Sequence, residues 1–470
     1  MGLAAYIERQ LQPEGIDDQA VEAMLSDLPT LTASIPALLR DYPRPATVPP
    51  AVTTSGSVAG EIARSPSSIK GPADIVMELR TAKALRAAAS ERQLQEVMVD
   101  FWFNHFNVFL YKGEIRWYVT SYERDVIRPH ALGKFGDLLR ATARHPAMLY
   151  YLDNWISRKD GGSGQPRLNE NYARELMELH TLGVDGGYTQ RDVVEVARAF
   201  TGWTIDRPKE DGQFVFRPGM HDTGGKIVLR QYLAAGGGIE DGERVLQILA
   251  RHPSTARFLA TKLVRRFVSD EPPATLVARV AAVYERTDGD IAAMVRTILT
   301  SAEFVSREAY GAKIKTPFEY VVSAVRALGG SVDARGGLEL ARASARLGQP
   351  LYQAQAPTGY PDRAEPWANT GSLVTRINYA TALAQRRLLG VHCDPYALTA
   401  GVDVRSPAAV LSRLEAELLH HRVSDQTHRV LTNLLEDPEI VRSADDRRGA
   451  NTDAAVLAAL VLGAPEFQRR

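Results

Sequence analysis

Apolar residues recur every three to four positions through most of this chain, which is the spacing of one face of an α-helix. The first residues show this period, with Leu3, Tyr6, Ile7 and Leu11 on one side. The same period predicts further helices at 16–30, from 73 to about 110, and at 114–128, 133–143, 146–156, 170–182, 189–201, 240–251, 253–268, 273–286, 289–300, 315–327, 372–388, 407–420 and 425–435. A last apolar helix is expected to end at Gly463.

Three stretches depart from the helical period. Residues 41–74 are rich in Pro, Ser and Gly and predict a long irregular surface segment. Residues 348–371 predict a loop rich in Gly, Pro and Tyr. A β-hairpin that pairs strands near 213–218 and 225–230 is expected, because Phe214 and Phe216 alternate with polar residues ahead of a Gly-Gly turn.

These elements predict a mainly α protein, a multi-helix single-domain globule with a small β-hairpin insertion near 214–229. Residues 1–75 are expected to form N-terminal helices and a wrapping segment, and residues 76–470 the main helical domain. A length of 470 residues with 45% hydrophobic residues is enough for a sizeable core and excludes a wholly disordered chain.

Charge and cysteine content exclude several classes of protein. The 56 basic and 56 acidic residues cancel, which argues against a nucleic-acid-binding protein. Cys393 is the single cysteine, so an intrachain disulfide and a cysteine zinc site are excluded. No apolar run approaches the 18 residues of a membrane span, and the first residues lack the pattern of a signal peptide.

Several segments together resemble one bacterial family. They are FWFNHFNV, HPAMLYYLDN, NENYARELMELHTLGVDGGYTQRDVVEVARAFTGW, HDTGGKIV, KTPFEYVVSAVRALG and PTGYPD, and they cover nearly the whole chain. The chain is therefore identified as a member of the family known as domain of unknown function eighteen hundred.

The resemblance implies a large helical protein that is typically exported and often encoded beside a sulfatase-like exported protein. Such a protein is therefore a candidate partner. Localisation is expected to be periplasmic or secreted if an export signal precedes Met1 in the native product, and cytoplasmic otherwise. We expect such an upstream signal.

The predicted helix 170–182 carries the main candidate site. Asn171, Glu175 and Glu178 lie on one stripe at a spacing of three and four, directly beside an apolar stripe that contains Tyr172 and Leu176. Both carboxylates are therefore expected to be largely buried. Paired carboxylates on successive turns can bind a cation or hold a raised pKa for acid–base catalysis. The alternative is a structural network with buried arginines.

Histidines supply the remaining candidates. His221 and Asp222 at the hairpin tip suit acid–base or metal chemistry, or equally the stabilisation of a turn. His105, among large apolar residues, and His180 are weaker metal-ligand candidates, so a divalent metal is a possible cofactor. The helix lacks Glu-x-x-His metal spacing, because Glu178 and His180 are two residues apart.

Two functions are compatible with these residues. The first is an exported hydrolase or metal-assisted enzyme with a carboxylate and histidine site on helix 170–182. The second is a non-enzymatic helical scaffold or binding protein that acts with an exported partner. P-loop and nucleophile-elbow motifs are absent. Convergence of Glu175, Glu178, His105 and His221 on one pocket would favour the enzyme.

Overall fold

The computed structural model describes residues 1–44, 70–159, 168–420, 422–437 and 452–470. These residues are mainly α-helical, as the sequence predicts. Most of the predicted irregular segment 41–74 lies outside the described residues.

The helices follow the predicted order along the chain. The first third contains Leu3–Gln10, Gln19–Leu25, Ile35–Asp41, Pro72–Ala89, Gln93–His105, Ile115–Ser121, Arg128–His130, Phe135–Arg144 and Pro146–Tyr151. The middle third contains Asn171–Glu175, Gln190–Ala199, Ile239–Ala250, Pro253–Phe267, Ala274–Arg286 and Ile291–Leu299. The last third contains Pro317–Ala327, Ala334–Arg346, Thr370–Ala384, Pro395–Leu398, Pro407–Leu419, Asp425–Leu434 and Ala454–Gly463.

Shorter and wider helical turns connect some of these helices. Single 3₁₀ turns occur at Pro13–Gly15, Pro29–Leu31, Asn154–Ile156 and Pro218–Met220. Two stretches have the wider π-helical pattern, Tyr122–Ile127 and Leu176–Thr181.

Several helices differ from the sequence pattern, and Ile35–Asp41 and Pro395–Leu398 were not predicted. The run predicted from 73 to 110 is broken at Ser90, which has extended backbone angles and donates its hydroxyl to Asp18 Oδ2 at 2.8 Å. The helix Ala334–Arg346 was not predicted, because Arg, Gly and Ala outnumber large apolar residues in it. It packs along Pro72–Ala89, where Gly337 lies against Leu85.

The described strands form three two-stranded antiparallel sheets. The pairs are Trp203–Asp206 with Gln213–Phe216, Lys226–Val228 with Gln231–Leu233, and Ser331–Val332 with Val391–His392.

The predicted pairing of 213–218 with 225–230 is wrong, although strands occupy both positions. Each strand pairs instead with its nearer neighbour in the chain. The second hairpin closes through Leu229 and Arg230, whose φ angles of +47° and +66° match the left-handed pair that a two-residue turn requires. The sequence did not reveal this turn because Leu-Arg lacks the usual Asn-Gly signature.

A continuous apolar core joins the helices. Its largest fully buried side chains include Trp102 and Trp117, and the indole N–H of each donates to a backbone carbonyl at 3.0 Å. The N-terminal helix attaches to this core through Gln10, whose side chain bonds the backbone of Glu91 and Leu94. The division between residues 75 and 76 stays a prediction. Within the described residues no helix has the length and apolar character needed to cross a bilayer.

Candidate functional site

Residues 171–181, named here the carboxylate helix, begin as an α-helix and continue as a π-helix. The wider winding is visible in the bond from the Leu182 N–H to the Met177 carbonyl, five residues back, at 2.7 Å. The hydroxyl of Thr181 spans the same interval to Leu176, also at 2.7 Å. Single π turns of this kind occur often at functional sites.

The predicted stripe packs as expected at its apolar edge, where Tyr172 and Leu176 are 1% exposed. Glu175 and Glu178 are half-buried rather than largely buried. The pattern overestimated their burial because the carboxylates lie beside the inward stripe and not on it.

Glu175 has no hydrogen bond or ion pair with any residue that the structure describes. Burial, and next the charge of Glu178, raise the pKa of its carboxyl above the ordinary value. The charge of Glu175 also interacts electrostatically with Tyr151. The Tyr151 hydroxyl donates to the Gln355 carbonyl at 2.6 Å. Burial first, with that charge contributing, raises the pKa of Tyr151 to about 12.

Glu178 differs from Glu175 because it has a hydrogen-bond donor. The Tyr188 hydroxyl donates to Glu178 Oε2 at 3.3 Å. Burial and the charge of Glu178 raise the pKa of Tyr188, so this hydroxyl keeps its proton and continues to donate. The two adjacent carboxyl groups therefore lie in different environments.

Other buried carboxylates in the protein are compensated by partners. Glu96 accepts two bonds from Arg128, at 2.6 and 3.0 Å. Glu319 lies 2.9 Å from Arg266, and Asp241 accepts from Lys226 at 2.7 Å. Partners of this kind make the burial of an ionised group tolerable. The half-buried Glu175, in contrast, has no such partner among the described residues.

Asn171 holds the start of the carboxylate helix in place. The side chain is exposed, and its Nδ2 lies 3.4 Å from the Leu152 carbonyl. The Asn171 N–H donates to Asn169 Oδ1 at 2.8 Å. These contacts give Asn171 a positioning role.

His105 and His180 lie together in the interior, as the metal-ligand hypothesis required. Both are 2% exposed, and their ring centroids are 6.1 Å apart. His105 Nε2 lies 3.1 Å from the His180 carbonyl and therefore carries the proton. His105 Nδ1 and His180 Nε2 have no partner among the described residues.

Lys262, which the sequence analysis missed, lies beside this histidine pair. Burial and then Lys262 lower the pKa of His180 to about 3 and that of His105 well below its ordinary value. Burial in turn lowers the pKa of Lys262 to about 8. The only available sequence signal was the spacing of Phe258, Lys262 and Arg266 by four residues, which places them on one face of Pro253–Phe267.

These histidines do not by themselves form a divalent metal site. No group of three or more His, Cys, Asp or Glu side chains able to hold a metal ion occurs among the described residues. The neighbouring ammonium of Lys262 would also repel a cation. The pair fits a neutral, buried environment that disfavours protonation better than it fits a metal centre.

His221 and Asp222 lie in a separate cluster, between the two hairpins rather than at a hairpin tip. His221 is 1% exposed, with Nδ1 2.7 Å from the Thr201 carbonyl and Nε2 3.2 Å from Asp241. Asp222 accepts two bonds from Arg198, at 2.8 and 3.1 Å. These contacts support the structural alternative, in which the two residues fix the connection between the sheets.

A polar cavity of about 40 Å³ lies under the 348–371 loop. Its lining includes Lys83, Asp100, Asn104 and Asp362. None of the residues predicted from the sequence as site residues lines it. A volume of this size holds a few water molecules.

The predicted residues therefore do not converge on one pocket. The carboxylates, the histidine pair and the His221 cluster have separate neighbours, and arginines do not seal the carboxylates. The carboxylate helix carries both carboxylates and one member of the histidine pair, His180.

Comparison with known proteins gives one match. The family model described as "Protein of unknown function (DUF1800)" matches residues 1–469. No curated protein and no solved structure matches the chain.

Proposed function

Since the chain belongs to the DUF1800 family of proteins of unknown function, we propose its activity from its own side chains: a hydrolase that uses the carboxylate helix for acid–base catalysis. The observation that carries the proposal is the half-buried Glu175 carboxyl, which has a raised pKa and no partner among the described residues. A carboxyl group with these properties retains a proton closer to neutral pH, as a general acid requires.

In the proposed reaction, Glu175 acts as the general acid and Glu178 as the general base. Glu175 donates its proton to the leaving group of the bound substrate. Glu178, which accepts the hydrogen bond from Tyr188, takes a proton from the water that attacks. Transfer of that proton from Glu178 to Glu175 restores the starting state. Environments that differ between two adjacent acids provide this division of roles.

The experiment compares Glu175→Gln with Glu170→Gln on a panel of chromogenic esters, phosphate esters and glycosides. Glu170 is the matched control because it lies nearby and already bonds Arg174 and Gln190. We expect Glu175→Gln to reduce turnover of one substrate class by about a hundredfold or more, and Glu170→Gln to leave it unchanged. Activity retained by Glu175→Gln, or none with any substrate class, contradicts the proposal.

A parallel series with a chelator and with added divalent cations tests the metal-assisted version. Activity that requires a cation and disappears in Glu175→Gln would assign the carboxylates to cation binding rather than proton transfer. Activity that is unaffected by the chelator would support the acid–base version.

A second candidate function is that of a scaffold for an exported protein partner, for which a sulfatase-like protein is our candidate. The supporting observation is an exposed apolar face on the helix Thr370–Ala384, formed by Leu373, Val374 and Ile377. These side chains are 43%, 54% and 40% exposed, whereas the helix also packs against Ala454–Gly463. Contiguous exposed apolar side chains often mark protein interaction sites.

The scaffold function is tested by co-purification with the candidate partner. We expect Ile377→Lys to abolish co-purification, because a charge would be buried in the interface. Gln426→Lys, at an exposed position of the helix Asp425–Leu434, is the control and should retain the partner. Equal recovery with both variants would exclude this face as the interface.

A further inference from the structure

Lys315 differs from three other buried lysines of the described chain. Lys83, Lys226 and Lys313 are at most 7% exposed, and each lies next to an aspartate. Lys315 is 8% exposed, and its Nζ has no hydrogen-bond acceptor among the described residues. Its ammonium instead lies 3.7 Å from the ring centroid of Phe467.

The surroundings of Lys315 are cationic. Arg376, Arg422 and Arg470 all lie within electrostatic reach of it. The four residues Lys315, Arg376, Arg422 and Arg470 are named here the cationic cluster. The acid that faces the cluster is Glu319.

Glu319 does not neutralise the cationic cluster. Its Oε1 lies 2.9 Å from Arg266 and 3.0 Å from Arg470, and its Oε2 accepts the Thr316 N–H at 2.8 Å. Its single charge is therefore already divided between two arginines. Burial and the three arginines lower the pKa of Lys315 to about 7, although Glu319 opposes the shift.

Several donors of the cationic cluster lack acceptors. Arg376 is 2% exposed, and its Nε has no partner, although its Nη atoms bond Gln468 and the Lys315 carbonyl. Arg470 Nη2 is also buried without a partner. Buried guanidinium donors without acceptors are unfavourable, and an oxyanion would supply acceptors to such donors.

The cluster sits where two segments far apart in sequence pair. Ile314 and Arg469 form an isolated antiparallel bridge, and the Lys315 N–H donates to the Gln468 carbonyl at 2.9 Å. This pairing holds the backbones of Lys315 and Arg470 in two adjacent extended segments. The donors are thus preorganised, which lowers the entropic penalty of binding.

We propose that the cationic cluster is a binding site for a small oxyanion, a free carboxylate or phosphate group, held by Lys315, Arg376 and Arg470. The site is separate from the carboxylate helix. Arginine forks match both carboxylate and phosphate geometry, and Lys315 adds a point charge.

The test is calorimetric titration of the full chain with inorganic phosphate and, separately, with acetate. The variant is Lys315→Met, which keeps an apolar side chain against Phe467. The control is Lys209→Met, which removes one charge from an exposed position. We expect saturable binding that Lys315→Met weakens by about tenfold or more, which equals about 1.4 kcal/mol, and that Lys209→Met leaves unchanged. The tighter of the two anions identifies the chemical group.

Two further measurements cover the remaining outcomes. If Lys315→Met does not fold, acylation of Lys315 in the wild-type protein is followed instead, and the bound anion should slow it at least about tenfold. A chain extended by two residues after Arg470 tests whether a terminal carboxylate fills the cluster. Absence of saturable binding, equal binding by Lys315→Met, no protection from acylation, or binding to the extended chain alone would each overturn the proposal.

Discussion

At the scale of single residues, most buried charges of the described chain have a partner of opposite charge. Among the described residues, the half-buried carboxyl group of Glu175 has no donor and the ammonium group of Lys315 has no acceptor. Buried Asp241, by contrast, satisfies both Lys226 and His221. Proteins retain uncompensated buried groups mainly where ligands or reactions use them.

The raised pKa of Glu175 predicts that Glu175→Gln stabilises the protein at alkaline pH. A carboxyl group whose pKa is higher in the folded state destabilises that state once it ionises. The melting temperature at pH 8 should therefore rise by about 1 °C or more, whereas at pH 4 the difference should vanish because Glu175 is then protonated in both states. Scanning calorimetry at both pH values measures this, and a lower melting temperature at pH 8 would indicate a structural role.

Asp241→Asn should destabilise the fold without affecting the carboxylate helix. The substitution removes the charge that compensates Lys226, which is 1% exposed, and leaves a weaker, neutral acceptor at the oxygen that Lys226 and His221 share. Breaking a buried ion pair in this way costs about 3 kcal/mol. Urea unfolding measures the loss, and hydrolytic activity per folded molecule should stay constant. A loss below about 1 kcal/mol would show that the Asp222 and Gly224 carbonyls suffice for Lys226.

At the scale of elements, side-chain bonds fix the 348–371 loop on the helix Gln93–His105. Asn104 exchanges two bonds with the Tyr360 backbone, at 2.8 and 2.7 Å. Gly359 approaches so closely, with a φ of +70°, that a Cβ atom would lie 2.4 Å from the Asn104 carbonyl. The loop therefore closes the polar cavity as a fixed cover rather than as a free surface segment.

Asn107→Ala should loosen this loop. The Asn107 amide donates to the carbonyls of Ala354 and Ala356, at 2.9 Å each. The substitution removes both bonds and leaves the Ala356 carbonyl only the Gly359 N–H at 3.0 Å. We expect a loss of about 1–3 kcal/mol in stability and faster hydrogen exchange across 352–362. The control Asn378→Ala, on an exposed helix face, should change neither. Unchanged exchange in Asn107→Ala would show that Asn104 alone holds the loop.

At the scale of the whole molecule, buried neutral histidines make stability depend on pH. Burial lowers the pKa of His145 and of His180 to about 3, and that of His105 well below its usual value. These rings accept protons readily only after unfolding. The stability that these neutral rings give the folded state is therefore fully present above pH 6.5, the ordinary pKa of histidine. This stability is lost as the pH falls below that value.

The free energy of unfolding should therefore fall between pH 7 and pH 5, before most carboxylates titrate. Each histidine contributes a slope of up to about 1.4 kcal/mol per pH unit. His180→Gln should flatten the dependence, and His392→Gln, at an exposed position, should not. Urea unfolding at several pH values measures the slope. A constant free energy across this range would contradict the buried, neutral state of the histidines.

Local sequence patterns were sufficient to predict most of the helices and which residues share the stripe of the candidate site. The helix Pro253–Phe267 was predicted as 253–268, because its apolar period and its proline at the first turn act within a few residues of one another. The inward packing of Tyr172 and Leu176 was predicted correctly for the same reason, whereas the burial of Glu175 and Glu178 was overestimated. Mainly α architecture follows from the sum of such segments.

Contacts between distant residues could not be read from the chain. The strand pairing depended on a Leu-Arg turn without a sequence signature, and Asn104 meets Tyr360 across 256 residues. The residues next to Lys262 and Lys315 in sequence do not indicate which groups surround them in the fold. The burial and the pKa of a charged side chain depend on groups from other helices that pack against it. Periodicity records which side of a helix is apolar, whereas chemistry depends on which charged groups from other elements come to lie beside it.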